Sequence, residues 1–321
     1  MRVLQSILLT GGAGFVGSAL ARQLLRCDGF ERLVVLDKLT GGGRRENLAD
    51  LAGDPRFSFV EGDIADQPRV ERLIREAGLK GLMNLAAERQ VGPFLLEGDP
   101  FTAPNVAGTV QLLDACRVTG IPMLQCSTAE VYGPMEPPGQ ATEDSPLAPA
   151  TLYAASKAAA DLMCLAFRKS HGQDVVITRG TCLYGPRQHP AEFIPTVVRQ
   201  AVGDEPVPLA REGMQVRDWL HVDDYCRGMI AAFLRGAPGE IFNFGGQCER
   251  TDLGVARNVV ELLGKPASLI TGIPAKSREN GRCAVECTKA LRYFGWRPEL
   301  AIKNALGNLA RELASNVVAQ Q

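Results

Sequence analysis

No stretch of this chain approaches the roughly 20 consecutive apolar residues of a membrane-spanning helix, and the apolar run Ile7 to Leu9 leads straight into a glycine motif without the layout of a signal peptide. No membrane partner is expected, and the expected location is the cytoplasm. Charge nearly cancels: the formal net charge is −1 over 321 residues, with both signs interspersed. That excludes the broad basic surface that nucleic acid or anionic lipid would demand, so any cationic site has to be local. Paired cysteine clusters are missing as well. The nine cysteines are scattered, and the one close pair, Cys283 and Cys287, lacks the spacing of a zinc site. No metal is expected, and the cysteines read as reduced, half-buried small residues. Only Cys126 and Cys182 fall near the site developed below. Internal repeats and low-complexity tracts are absent too.

What is present is an ordinary globular composition, 45% hydrophobic, in a chain long enough for one large domain and a smaller one. Short aliphatic runs alternate with helix-length amphipathic segments, the sequence form of a parallel sheet with crossover helices. Strands are predicted at Ser6–Thr10, Arg32–Leu36, Phe57–Val60, Gly81–Leu85, Met123–Ser127 and Asp174–Thr178, and helices at about 15–26, 68–77, 101–118 and 154–171. After Tyr184 the alternation weakens, and helices near 190–203, 252–264 and 301–315 imply a second lobe. The expected fold is α/β, a Rossmann-type doubly wound parallel sheet spanning 1–186, with 218–245 returning to it. A smaller C-terminal substrate-binding lobe takes 187–217 and 246–321.

The first strand is followed by Gly11-Gly12-Ala13-Gly14-Phe15-Val16-Gly17 and then a helix. Glycine is needed where such a turn is tight, where backbone approaches phosphates, and where helix meets strand, so the turn can seat a pyrophosphate on a helix N-terminus. The same pattern also describes a plain strand-to-helix loop. Asp37, 20 residues beyond Gly17 at the end of the second strand, favours the dinucleotide, because a carboxylate there can hold the adenosine ribose hydroxyls. It would repel a 2′-phosphate, which selects NAD over NADP, although Lys38 sits beside it. Asp63-Ile64, after the third strand, suits an adenine contact or a simple turn.

Tyr153-Ala-Ala-Ser-Lys157 spaces a phenol and an ammonium at i,i+4, on one helical face. The lysine charge should lower the tyrosine pKa and make it an acid/base for a sugar hydroxyl while hydride passes to nicotinamide. A surface helix pair would look the same. The glycine motif and Ser127-Thr128 at the end of a predicted strand make the combination specific, with the Thr128 hydroxyl orienting the same substrate oxygen.

Taken together, TGGAGFVGS (10–18), LDKLT (36–40), GDI (62–64), NLAAE (84–88), NVAGT (105–109), STAEVYG (127–133), YAASK (153–157), YGPRQHPAEFIP (184–195), RDWLHVDD (217–224) and FNFGG (242–246) resemble the extended short-chain dehydrogenase/reductase family. Within it the resemblance is closest to the dTDP-glucose 4,6-dehydratases, nearly end to end. It implies a tightly held NAD that oxidises the C4 hydroxyl of a nucleotide-diphosphate sugar, chemistry on the 4-keto sugar, and return of the hydride. A homodimer built on the helices near 101–118 and 154–171 is also implied. The cofactor would be lined by Gly11, Gly14, Phe15, Val16, Gly17, Asp37, Lys38, Leu39, Thr40, Asp63, Ile64, Leu85, Ala86 and Ala87, with Tyr153 and Lys157. Catalysis falls to Thr128, Tyr153 and Lys157 for the oxidation and to Glu130 for the C5 proton, which a C4 ketone acidifies. Substrate contacts are expected from Glu88, Arg89, Arg187, Glu192 and the asparagine of the NVAGT run (Asn105, beside Val106). The diphosphate would fall to Arg217, whose fork suits it, assisted by Arg278 and Arg282.

Three departures bear on the reaction. The dehydratases carry an Asp before the catalytic Glu to protonate the departing C6 hydroxyl, and this chain has Ala129. An Asn two residues before the tyrosine of the YGP motif is Cys182, and the Ser-His-Val-Asp stretch after the alanine pair is Arg89-Gln90-Val91-Gly92. The leading reading is a hexose 4,6-dehydratase. The second is a UDP-glucuronate decarboxylase or 4-epimerase, in which Arg89 and Arg187 would meet a sugar carboxylate. The third is a degenerate sensor that binds NAD and sugar nucleotide without turnover, which the intact Thr128, Tyr153 and Lys157 argue against.

Overall fold

A computed structural model describes residues 2–89, 100–273 and 281–319. The chain runs β1 (Ser6–Thr10), α1 (Phe15–Arg26), β2 (Arg32–Asp37), β3 (Phe57–Glu61), α2 (Gln67–Glu76), β4 (Gly81–Asn84), α3 (Gly108–Thr119), β5 (Met123–Thr128), α4 (Leu152–His171) and β6 (Val175–Gly180). It continues through β7 (Cys182–Tyr184), α5 (Phe193–Val202), β8 (Val207–Ala210), β9 (Val216–His221), α6 (Val222–Arg235), β10 (Ile241–Phe244), β11 (Glu249–Thr251), α7 (Asp252–Leu262), β12 (Ile270–Ile273), α8 (Thr288–Phe294) and α9 (Ile302–Ala319).

Seven strands pair in parallel in the order β10-β6-β5-β4-β1-β2-β3. Helices cover both faces, which is why β1, SILLT, is buried at every position and its sequence reads as an apolar run rather than an alternation. On one face Leu20 and Leu24 of α1 pack with Met229 and Phe233 of α6. On the other, Val70 and Ile74 of α2 meet Leu112 and Leu113 of α3 and Cys164 of α4. A third core, with Ile194 and Val197 of α5, Trp219 of β9, Val259 of α7 and Leu306 of α9, belongs to the smaller lobe. This lobe is built on a three-stranded sheet, β11-β9-β7, and a parallel pair, β12-β8.

The six predicted strands of the large sheet are all present, each within two residues of the expected ends. The helix expected at 101–118 is not uniform: Thr102–Ala107 forms a π-helical turn before α3 begins. Pro104 has no N–H to give the ladder, and the Gly108 N–H reaches back to Ala103 O instead.

Order in the sheet reverses at β1, which has β2 on one side and β4 on the other. A crevice opens there at the carboxyl ends of the strands, the usual ligand position of such sheets. A buried polar row fixes the strand ends beneath it: Thr10 Oγ1 donates to Asn84 Oδ1 at 2.6 Å, and Asn84 Nδ2 donates to Gln125 Oε1 at 2.8 Å. The reacting loops therefore stand on three strands held in register by their own side chains.

Candidate active site

Above the crevice lies a cavity of about 630 Å³ lined by both lobes. Its floor is the glycine turn. Gly11 has φ +69°, and a Cβ there would stand 2.5 Å from Ala86 N, because the turn after β1 is pressed against the loop after β4. At Gly17 a Cβ would meet Gly11 O at 2.2 Å, so the third glycine is required for helix-on-strand packing. Gly14 caps α1 with no side-chain hydrogen bond, leaving the helix N-terminus to an anion from outside the chain.

Asp37 ends β2 and lines the cavity while holding the turn in shape: Ala13 N–H donates to Oδ2 at 2.9 Å and Leu39 N–H to Oδ1 at 2.8 Å. Burial raises this carboxyl, and the two N–H bonds hold it back. Each oxygen keeps a lone pair for a further donor. Lys38, the residue that leaves room for a 2′-phosphate, is instead paired with Asp63 at 2.6 Å. Gly11, Gly14, Phe15, Val16, Gly17, Asp37, Lys38, Thr40, Asp63, Ile64, Leu85, Ala86 and Ala87 all line the cavity. Leu39 does not. It takes φ +60° and packs against the core, contributing its backbone N–H to Asp37.

The opposite wall carries the expected catalytic groups. Thr128 ends β5 and caps the short 3-10 turn Ala129–Tyr132, accepting at Oγ1 from Glu130 N–H at 3.3 Å. Tyr153 and Lys157 come from the first turns of α4, whose N-cap is Thr151. Tyr153 is wedged edge-on against Phe101, centroids 6.2 Å apart. Lys157, 4% exposed, donates Nζ to Cys126 O at 2.7 Å. Thr128, Glu130, Tyr153 and Lys157 thus share one wall. Burial raises the Tyr153 phenol, Arg89 is the charge that most opposes it, and Glu130, Cys126 and Glu192 raise it further. The expected lowering is therefore not realised: burial outweighs it, and the leading opposing cation is Arg89 rather than Lys157.

Beneath this wall is an ion pair that spacing alone did not reveal. Arg179 of β6 donates Nε to Asp161 Oδ2 at 2.9 Å, the side chains 2% and 0% exposed, and Ser127 Oγ donates to the same carboxylate at 3.0 Å. Asp161 lies four residues beyond Lys157, so Tyr153, Lys157 and Asp161 form one i,i+4 stripe down α4. A carboxylate on the inward stripe of an otherwise apolar helix was the legible signal.

The substrate residues divide. Glu88, Arg89, Glu192 and Arg217 line the cavity. Glu88 accepts from Thr40 Oγ1 at 2.6 Å, and Arg217 is clasped by Asp252 through Nε at 2.8 Å and Nη2 at 3.0 Å. Three others do not face it. Asn105 is fully buried, accepting from Glu88 N–H at 2.7 Å and donating to Glu88 O and Ser156 Oγ, both at 2.9 Å. It fastens the loop after β4 to α4. Arg187, at φ +65°, sits among Arg22, Asp50, Asp223 and Glu312. Arg282 is spent on Glu249 at 2.5 and 2.6 Å and on Gly139 O at 2.6 Å. Arg278, like Gln90 to Gly92, lies outside the described residues.

Several lining residues were not foreseen. Thr181, Gln215 and Val216 come from the join between β6 and β7 and from the start of β9, and no local pattern marks them. His189 stood in plain view inside the YGPRQHP motif. Cys182, expected near the site, and Cys283, which was not, bring thiols to the smaller-lobe side, pushed by burial up to about 11 and about 12, so both are neutral.

Residues 7–245 match the model of the NAD dependent epimerase/dehydratase family. A dTDP-glucose 4,6-dehydratase of Actinoplanes sp. is 41% identical over 300 residues, 92% of this chain and 93% of that protein. The solved dTDP-glucose 4,6-dehydratase of Streptomyces venezuelae, with NAD bound, superposes with a TM-score of 0.93 at 37% identity, covering 97% of this chain and 98% of that one. A UDP-glucuronic acid 4-epimerase from Bacillus cereus, solved with UDP-glucuronic acid and NAD, reaches 0.89 at 26% identity, covering 97% of this chain and all of that one. The glycine turn, the Tyr153/Lys157 helix and the crevice at the sheet reversal fall inside the matched span or the superposed fold, and the chain belongs to the NAD dependent epimerase/dehydratase family.

Proposed function

We propose that this chain is an NAD-dependent nucleotide-diphosphate-hexose 4,6-dehydratase of the dTDP-glucose type. The observation that carries the reading is the convergence of Thr128, Glu130, Tyr153 and Lys157 on one wall of a cavity whose floor is the glycine turn. The relatives named above point the same way. The glycine turn and Asp37 would hold NAD, which when bound would supply the acceptor for the C4 hydride and the donor that returns it. The residues here do the rest. Tyr153 takes the C4 hydroxyl proton, with Thr128 Oγ1 orienting that oxygen. The ketone acidifies C5–H, Glu130 removes that proton, and water leaves from C6. Since a methyl group at 129 donates nothing, Glu130 hands its proton to the departing hydroxyl. Arg217, steadied by Asp252, faces the diphosphate.

The uronate reading required Arg89 and Arg187 at one carboxylate. Arg187 lies outside the cavity wall and Arg89 is already engaged by Glu192, which favours elimination. Mass spectrometry of products from a panel of nucleotide sugars tests the choice. Loss of water is expected. Loss of carbon dioxide, or an unchanged mass with inverted C4, would replace the dehydratase by the second reading.

A homodimer belongs to the same proposal. Leu152, Ala155, Leu162, Met163 and Ala166 form an exposed apolar stripe on α4, with Leu152 67% and Leu162 56% exposed, and such a stripe seeks a partner. We place the protein in the cytoplasm, its cysteines all being free among the described residues, and draw its lobes at 1–181 with 222–245, and 182–221 with 246–321, because β7 and β9, expected mostly in the larger lobe, form one sheet with β11 and bring Tyr184 and Trp219 into the smaller lobe's core.

A further inference from the structure

Position 89 puts an arginine where the wall of the cavity meets its mouth. Arg89 follows β4, and its Nη1 lies 3.1 Å from Glu192 Oε1. Glu192 is the residue that opens α5, so this ion pair runs from the large sheet to the smaller lobe, and both partners line the cavity. The Arg89 side chain is 49% exposed and that of Glu192 17%, a setting in which an ion pair adds little to stability. Its placement counts for more than its strength.

The groups that react stand around it. After Glu192, the titratable groups facing the Arg89 guanidinium are Tyr153 from α4, Glu130 from the turn after β5 and Cys182 from β7. From the side of Tyr153, every packed element contributes a named group. Arg89 comes from the loop after β4, Cys126 and Glu130 from β5 and its turn, and Glu192 from the start of α5. Lys157, one helical turn along α4, holds Cys126 O. Burial first, and then the Glu130 and Glu192 carboxylates, oppose a phenolate, and Arg89 opposes them.

We propose that Arg89, held across the cavity by Glu192, is a positioning residue for the C4 oxidation: its guanidinium is the fixed positive charge that lets Tyr153 serve as base in a wall where Glu130 and Glu192 resist it. This rests on the reading of Tyr153 as that base. Arg89 and Ala129 line the same cavity, which therefore has no acid at 129 and carries a cation at 89.

The test is a pH titration of the tyrosinate ultraviolet absorbance in the NAD-loaded protein, with the Tyr153→Phe titration subtracted to isolate Tyr153. In Arg89→Gln the Tyr153 midpoint is expected to rise by about one pH unit, the lower end of what a nearby opposite charge does. The rate of C4 oxidation should then fall about tenfold at neutral pH and recover as the pH is raised, with KM nearly unchanged. Arg89→Lys, which keeps the charge, should return the midpoint most of the way. A midpoint unmoved in Arg89→Gln, a rate lowered equally at every pH, a rise in KM alone, or a lysine variant that titrates like the glutamine one would each overturn the proposal. Near-normal turnover in Tyr153→Phe would instead overturn the reading of the base, and is scored separately.

Discussion

Lys157 donates its ammonium to the carbonyl oxygen of Cys126 at 2.7 Å, joining the second turn of α4 to β5 just ahead of Ser127 and Thr128. A residue read from spacing as a tuner of Tyr153 is therefore also a tie between two elements. Lys157→Met keeps the stem and removes the donor. The expected loss is about 1.5–3 kcal/mol of unfolding free energy, the scale of a buried hydrogen bond to a charged group, read from urea denaturation. Turnover should fall as well, because Thr128 loses its anchored strand end. A variant as stable as the parent would show that the tie is dispensable.

Ala129 is 1% exposed and lines the cavity beside Glu130. A carboxyl introduced by Ala129→Asp would be kept protonated by burial, which is the state a departing C6 hydroxyl needs. Water loss should continue at the same rate or faster. Glu130→Gln, in contrast, should abolish both water loss and solvent deuterium uptake at C5, followed by mass spectrometry. Deuterium uptake that survives in Glu130→Gln would take the C5 proton away from Glu130.

The Arg179–Asp161 pair lies at 2.9 Å with both side chains out of solvent. Removing one partner strands the other, so Arg179→Met should cost about 3–5 kcal/mol. Pairing it with Asp161→Leu should restore a large part of that loss, since an apolar pair leaves no uncompensated charge. A double variant no more stable than Arg179→Met would mean that Ser127, rather than the charge balance, governs the site.

At the surface of the smaller lobe, the Arg282 guanidinium beside Glu249 holds its carboxyl below the ordinary range, against a small opposing effect of burial. For an acid lowered on folding, the stabilisation is complete above the unfolded value and disappears as pH falls through the folded one. The Glu249 side chain is 34% exposed, which limits the effect to about 0.5–1 kcal/mol. Glu249→Gln should therefore be less stable than the parent near neutral pH, and the two should converge in acid. A gap that persists at low pH would assign the loss to packing or to the neutral hydrogen bond.

Much of the large lobe was legible because its determinants are local. The apolar runs that became β1 to β6 are short and bounded by turns, and G-x-x-G-x-x-G and Y-x-x-x-K state their geometry in their spacing. The smaller lobe was harder, since β7, β9 and β11 are brief strands whose partners lie 30 or more residues away in sequence, and their pattern means nothing until they pair. Arginine was the least legible residue type. Arg187 and Arg282 had the right charge and the right neighbourhood in sequence, but a cation's role depends on which carboxylate reaches it first. Glu249 reached Arg282, and Asp50 stands beside Arg187. Asn105 failed for the related reason that a motif residue can serve the scaffold as well as the ligand.

The polar row Thr10–Asn84–Gln125 has a consequence for how this catalyst could change over time. It ties the ends of β1 and β4 to β5 with buried side chains, and Asn84 Oδ1 also accepts from Ala86 N–H in the loop after β4, so the hydride-transfer geometry is inherited as a unit. Arg217, Glu192 and Gln215, by comparison, arrive on segments of the smaller lobe. Selection can exchange those segments, and with them the nucleotide and sugar accepted, while the distance between the cofactor floor and the Tyr153 wall stays as it is.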